Sequence, residues 1–352
     1  MVETAAPAPV VQKYCTVQPR VVPELRPGLG LARERAILNV GSKWVNGTHI
    51  HYAFLDGTGG GRGKAQLDQV RDAFRAWKDL GIGLEFEEVE SPAMAEVRIA
   101  FEDDGSWSYV GRDALTIGGG QATMNFGWDV TSTWGRATSL HETGHSLGLE
   151  HEHQNPNAGI RWNEEAVYAS LAAPPNNWTR EETFHNILRK LSKDEVTGSV
   201  WDALSIMEYP FEPGLILEPE KYGREGLQGG LTLSATDKEM VRAWYPPLTV
   251  GPTALQPGAS APLDLSSGGQ ADFELQPGET RAYDIGSFGK SDVVMVVFED
   301  VGGELRYLAG EDDSGTEANA RLNVRLVGGR RYVLRVRLYS VYGGGPTAVM
   351  YW

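Results

Sequence analysis

Cysteine is almost absent: of 352 residues only Cys15 carries a thiol. A disulfide within these residues is excluded, and cysteine pairing says nothing about the redox compartment. Long apolar runs are missing too. The longest, Val293–Phe298, falls far short of the roughly 20 residues that cross a bilayer, so no membrane span is expected. Positive charge is scarce beside negative charge: 32 Lys and Arg against 47 Asp and Glu, a formal net charge of −15. Such a chain repels phosphate backbones and anionic headgroups, which argues against nucleic acid as a main partner. Histidine is sparse as well, yet four of the seven fall within residues 141–153.

That stretch reads His141-Glu142-Thr-Gly-His145-Ser-Leu-Gly148-Leu-Glu-His151-Glu152-His153. His141 and His145 are four apart, so on a helix they share one face and can share a metal ion; imidazole suits zinc. Glu142 then lies beside the ion, where a general base is needed. His151 is six residues past His145, and a continuous helix would aim it elsewhere. Gly148 is placed to end the helix in a left-handed turn and let His151 return. Three histidines leave a fourth position for water, the mark of a catalytic rather than a structural site.

The extended pattern H-E-x-x-H-x-x-G-x-x-H also calls for a downstream methionine turn, and Ser205-Ile206-Met207-Glu208-Tyr209-Pro210 supplies one. On these residues the chain resembles the metzincin zinc peptidases. Glu152 directly after the third histidine, and Tyr209 two residues after Met207, make it similar to the astacin-like branch. The likeness is specific over about residues 95–210 and weaker over 40–94. It implies one catalytic zinc on His141, His145 and His151, and Glu142 as general base. It also implies Tyr209 as a fifth ligand at rest and as a donor to the oxyanion, with Met207 packed beneath the metal. The strand before the active-site helix, Ala122-Thr123-Met124-Asn125-Phe126, would lie at a sheet edge and pair with the substrate backbone. A polypeptide substrate, a monomer and a secreted or extracellular location follow. Met1–Pro7 has neither the basic start nor the apolar core of a secretory leader. The chain departs from astacins in lacking disulfides, in carrying Glu208 where histidine is frequent, and in lacking an aspartate-switch motif. A second reading stays open: a binding or adhesion protein that keeps zinc as a structural ion.

The expected architecture is α+β followed by all-β. Residues 1–36 read as a proline-broken tail that serves as a pro-segment. Residues 37–247 read as the catalytic domain, a twisted, mostly parallel sheet with an antiparallel edge strand and the active-site helix. Residues 248–265 read as a Pro/Gly-rich linker. Residues 266–352 read as a β-sandwich resembling the bacterial pre-peptidase C-terminal domain. Leu67, Val70, Phe74 and Trp77 form an apolar helical stripe, and Ser132 or Thr133, Thr179 with Glu182, and Ser234 are helix caps. His49 and His51 share a strand face, as a metal pair or as ordinary strand residues. The Asp312-Asp313-Ser-Gly turn carries carboxylates that could hold calcium, but it reads first as a plain loop. A thiolate is a strong zinc ligand. The tail can therefore lay Cys15 on the fourth zinc position, like the cysteine switch of matrix metalloproteinases. Tyr14-Cys15-Thr16-Val17 does not match their motif, and an inert exposed thiol is the alternative.

Overall fold

The computed structural model describes residues 13–18, 42–44, 46–55, 57, 61–191, 200–247, 252–265, 270–289, 291–311, 319–338 and 345–352. The chain divides into two compact units, one drawn from residues 1–43, 52–76 and 88–237 and the other from 44–51, 77–87 and 238–352. Among the described residues no helix is long and apolar enough to cross a membrane.

Strands β1 (Thr16–Val17), β2 (His49–Phe54), β3 (Glu85–Glu88), β4 (Val97–Ala100), β5 (Trp107–Ser108) and β6 (Met124–Asn125) form one sheet, in the order β1-β5-β6-β4-β2-β3. β4 is parallel to both β2 and β6, β5 is antiparallel to β6, and β1 is parallel to β5. β4 is buried along its whole length, as a parallel strand covered on both faces is. Arg98 tolerates this because its guanidinium donates to the carbonyls of Gln121, Ala95 and Ile117.

One expectation fails here. Ala122–Phe126 does not lie at the sheet edge. Asn125 pairs with Ala100 on one side and with Trp107 on the other, so both backbone rows of β6 are taken. The antiparallel strand β5 lies outside it. The tail in turn is not wholly irregular, because Thr16 and Val17 pair with β5.

The helices follow local rules. In α1 (Lys64–Lys78) the stripe Leu67, Val70, Phe74 and Trp77 is buried, as its 3.6-residue period requires. α2 (Thr133–Ser146) starts at Ser132, whose Oγ accepts from Gly135 N at 3.0 Å. β7 (Arg161–Trp162) precedes α3 (Glu164–Ala172) and pairs with β8 (Ile216–Glu218), which leads into α5 (Glu220–Glu225). α4 (Arg180–Thr183) carries the Thr179–Glu182 capping box but widens at once into a π turn over Phe184–Leu188. α6 (Ala235–Trp244) follows Ser234, whose Oγ accepts from Asp237 N at 3.0 Å.

The C-terminal strands are β9 (Thr253–Leu255), β10 (Ser260–Leu265), β11 (Gln270–Leu275), β12 (Arg281–Gly289), β13 (Val293–Val301), β14 (Glu304–Glu311), β15 (Arg321–Leu326), β16 (Arg331–Leu338) and β17 (Gly345–Tyr351). They form two sheets, β10-β17-β12-β15 and β14-β13-β16-β11-β9. A single apolar core takes side chains from both, among them Ile285 and Val349 from the first and Val297 and Leu334 from the second. That is a β-sandwich. Residues 253–255 and 260–265 overturn the linker expected over 248–265: they pair with β11 and β17, partners that punctuation by Pro and Gly does not reveal. The Asp312–Asp313 turn lies outside the described residues.

Candidate metal centre

The geometry begins with the end of α2. Leu147 N donates to Thr143 O and Gly144 O, Gly148 turns the chain at φ +97°, and Leu149 N donates back to Gly144 O. Only glycine enters that region cheaply, so the break predicted at Gly148 follows from its missing Cβ. The turn places Leu149 O 2.8 Å from Nδ1 of His145. On the other side, Ile206 O of the methionine turn lies 2.8 Å from Nδ1 of His141. A carbonyl only accepts, so both Nδ1 atoms carry the proton and both Nε2 atoms are left bare.

His141, His145 and His151 each offer a ring nitrogen within 4.8 Å of the others, and all three are buried. Nε2 of His145 and Nε2 of His151 are 3.2 Å apart, and Nε2 of His141 is buried with no hydrogen-bond partner. Burial holds His141 down to about 4 and holds His145 and His151 well below the usual imidazole range. Neutral imidazoles converging through bare nitrogens form the donor set that zinc takes. His49 and His51 join no such group among the described residues.

Glu142 projects beside this set. Both of its oxygens are buried, and burial pushes its carboxyl up to about 8 against the opposing hydrogen bond of the Cys15 thiol. Met207 is buried, and its carbonyl accepts from Glu152 N at 3.0 Å, next to His151. The Tyr209 ring packs against His141, His151 and His153 at centroid distances of 5.4, 4.4 and 4.9 Å. Its hydroxyl lies 2.6 Å from His151 Nε2 and donates to Cys15 O at 2.8 Å. Burial raises this phenol well above its ordinary range, so it stays a donor.

Cys15 is buried, which removes the exposed-thiol alternative. Its sulfur, a ring nitrogen of His141 and a carboxylate oxygen of Glu142 all lie within 4.8 Å of one another. Around it the tail is gripped by its backbone. Tyr14 N donates to Asn176 Oδ1 at 3.1 Å, Thr16 N to Ser106 O at 3.0 Å and Val17 N to Asn186 Oδ1 at 2.8 Å. Tyr14 also stacks on Phe211 at 5.8 Å and donates to Pro210 O at 2.9 Å. A small pocket of about 30 Å³ beside His141 has Lys13, Tyr14 and Cys15 in its wall.

Several residues at the site were not legible in the sequence. Glu208 reads there as a local variation with no role. It is fully buried, accepts from Trp201 Nε1 at 2.7 Å and from Tyr209 N at 3.0 Å, and lies 3.6 Å from His153 Nδ1. His153 Nε2 donates to Asn186 O at 2.8 Å. Burial drives this pair toward its neutral forms, Glu208 upward and His153 down to about 3. Asn176 and Asn186 carry no motif that marks them as a grip for the tail.

A family model described as Astacin, a family of peptidases, matches residues 37–212. Among solved structures, one of myroilysin is similar at 33% identity, covering 59% of this chain and 97% of its own, with a TM-score of 0.53. High choriolytic enzyme 1, a hatching-enzyme zinc protease from the medaka fish Oryzias latipes, is similar at 17% identity over 57% of this chain and 93% of its own, with a TM-score of 0.40. The pre-peptidase C-terminal domain of a Bacillus anthracis collagenase matches at 14% identity over 30% of this chain and 100% of its own, with a TM-score of 0.25. No curated protein matches significantly.

Proposed function

Because the chain belongs to the astacin family of zinc metalloendopeptidases, we propose that it cleaves polypeptides at the His141–His145–His151 centre with Glu142 as general base and Tyr209 as oxyanion donor, and that the Lys13–Gln18 segment holds it latent. The observation that carries this reading is the convergence of three buried imidazoles beside the buried Glu142 carboxyl. Zinc on the three imidazoles supplies a Lewis acid and lowers the pKa of water to about 7. Burial raises the Glu142 carboxyl above the ordinary carboxylate range, and a zinc ion beside it would draw it back down, so the carboxylate would take a proton from water and return it to the leaving amine. The Tyr209 hydroxyl already donates to a peptide carbonyl, that of Cys15, and the same hydrogen bond would meet the oxyanion of a substrate. β5 takes over the role expected of Ala122–Phe126: its outer row, now paired with Thr16–Val17, would pair with substrate. The enzyme is read as a secreted monomer, from the family.

Hydrolysis of casein should vanish on zinc chelation and return with zinc. A folded, zinc-loaded protein that cuts no member of a broad peptide library would overturn the reading.

Latency has its own test. The Cys15 sulfur lies within 4.8 Å of a His141 ring nitrogen, and the Cys15 carbonyl takes up the Tyr209 hydroxyl. One hydrogen bond of about 0.5–1.5 kcal/mol, at 1.4 kcal/mol per tenfold change, corresponds to roughly 2- to 12-fold, so releasing the tail should raise activity at least about twofold. Full-length protein, Cys15→Ala and a form starting near residue 36 are to be compared at equal zinc content. The last two should be the more active. Equal rates in all three would sink the proposal.

A further inference from the structure

Asp237 lies in the first turn of α6, far in sequence from every residue assigned to the metal centre. It is the third residue after Ser234, and the pair forms a reciprocal cap: Asp237 N donates to Ser234 Oγ, and Ser234 N donates to Asp237 Oδ2 at 2.7 Å. Capping alone explains those two contacts. The same buried carboxylate makes two more. Ser205 Oγ donates to Oδ1 at 2.6 Å and Ile206 N donates to Oδ2 at 2.9 Å. Ser205 Oγ in turn accepts from Met207 N at 3.0 Å. The cap is thus bolted to the methionine turn from Ser205 to Met207.

The other side of that turn faces the ligands. Ile206 O accepts from His141 Nδ1, and Met207 O accepts from Glu152 N beside His151. The peptide unit on each side of Ile206 therefore has one fixed end: its N–H is held by Asp237, and its C=O holds the imidazole. A neighbouring contact tightens the same turn. Gly230 N donates to Ser205 O at 3.1 Å, and a Cβ on Gly230 would come within 2.5 Å of Leu204 O and Ser205 O. Only glycine lets the backbone approach so closely.

We propose that Asp237 is a positioning residue for the metal centre: through Ser205 and Ile206 it sets the carbonyl that orients His141 and fixes its tautomer. The proposal rests on the reading of His141 as a zinc ligand. A group bonded directly to a ligating histidine typically accounts for about 10- to 100-fold in metal affinity or activity, and Asp237 holds that group, the Ile206 carbonyl, in place.

The test separates this role from helix capping. Zinc release into a chelator is measured on zinc-loaded full-length protein, and the visible spectrum is recorded after cobalt substitution. Asp237→Asn should release zinc about 10- to 100-fold faster and shift the cobalt bands. Ser205→Ala, a milder cut of the same link, should release zinc several-fold faster and serves if Asp237→Asn does not fold. Ser234→Ala removes the cap and lowers the thermal midpoint, but should leave zinc release and the cobalt spectrum as in the parent protein. Equal release from the parent, Asp237→Asn and Ser205→Ala would overturn the proposal alone. A parent protein that holds no zinc would overturn the metal-centre reading and this proposal with it.

Discussion

Glu142→Ala is expected to abolish measurable peptide hydrolysis while one zinc stays bound. General acid–base catalysis by a placed side chain accounts for about 10²–10⁴-fold. Nothing else at the site replaces it. His141, His145 and His151 are held neutral by burial and group together as ligands. Glu208 is turned toward Trp201 and His153. Glu142 alone combines a carboxyl raised by burial with a place beside His141, where its hydrogen-bonding neighbour is the Cys15 thiol of the tail. Since it is not among the three histidines that converge, its loss should not release metal. The measurement pairs peptide turnover with metal content. Loss of zinc on this substitution would move Glu142 from base to ligand, and retained turnover would remove it from the reaction.

Tyr209→Phe is expected to lower kcat by about 10- to 1000-fold with a smaller change in KM. A donor to an oxyanion is worth about 2.7–4 kcal/mol where one has been removed, and it acts mainly in the transition state. The substitution is clean because the ring is held by packing and not by its hydroxyl. His141, His151, His153 and Tyr14 all lie against it. Phenylalanine keeps those ring contacts and deletes the hydroxyl that now donates to Cys15 O and lies 2.6 Å from His151 Nε2. The comparison belongs in the tail-less form, so that a loosened tail does not mask a slower reaction. An unchanged kcat there would take Tyr209 out of the mechanism.

The metal centre was legible because its signals are local. Spacing of four puts His141 and His145 on one helical face, and Gly148 turns the chain at φ +97°, as the return of His151 requires. Ser132 and the Thr179–Glu182 pair cap helices through neighbours three residues away. The sheet edge was not legible. Whether β6 or β5 lies outermost depends on which distant strand takes each backbone row, and Met124–Asn125 has both rows filled. The same holds for residues 260–265, which look like linker until β17 pairs with them.

Residue type and short-range spacing determined the histidine group, the place of Glu142 beside it, the turn at Gly148 and the methionine turn, because each depends on helix period or on a single backbone conformation. Only the tertiary structure decided that Glu208 is buried against His153, that Asp237 reaches Ser205 and Ile206, and that Cys15 lies against His141 and Glu142. Those contacts join residues far apart in the chain, or turn a polar side chain inward against its usual preference. Their cost is met only when a specific partner is already in place. No local pattern records that partner, so the chain must close on itself before these residues acquire a role.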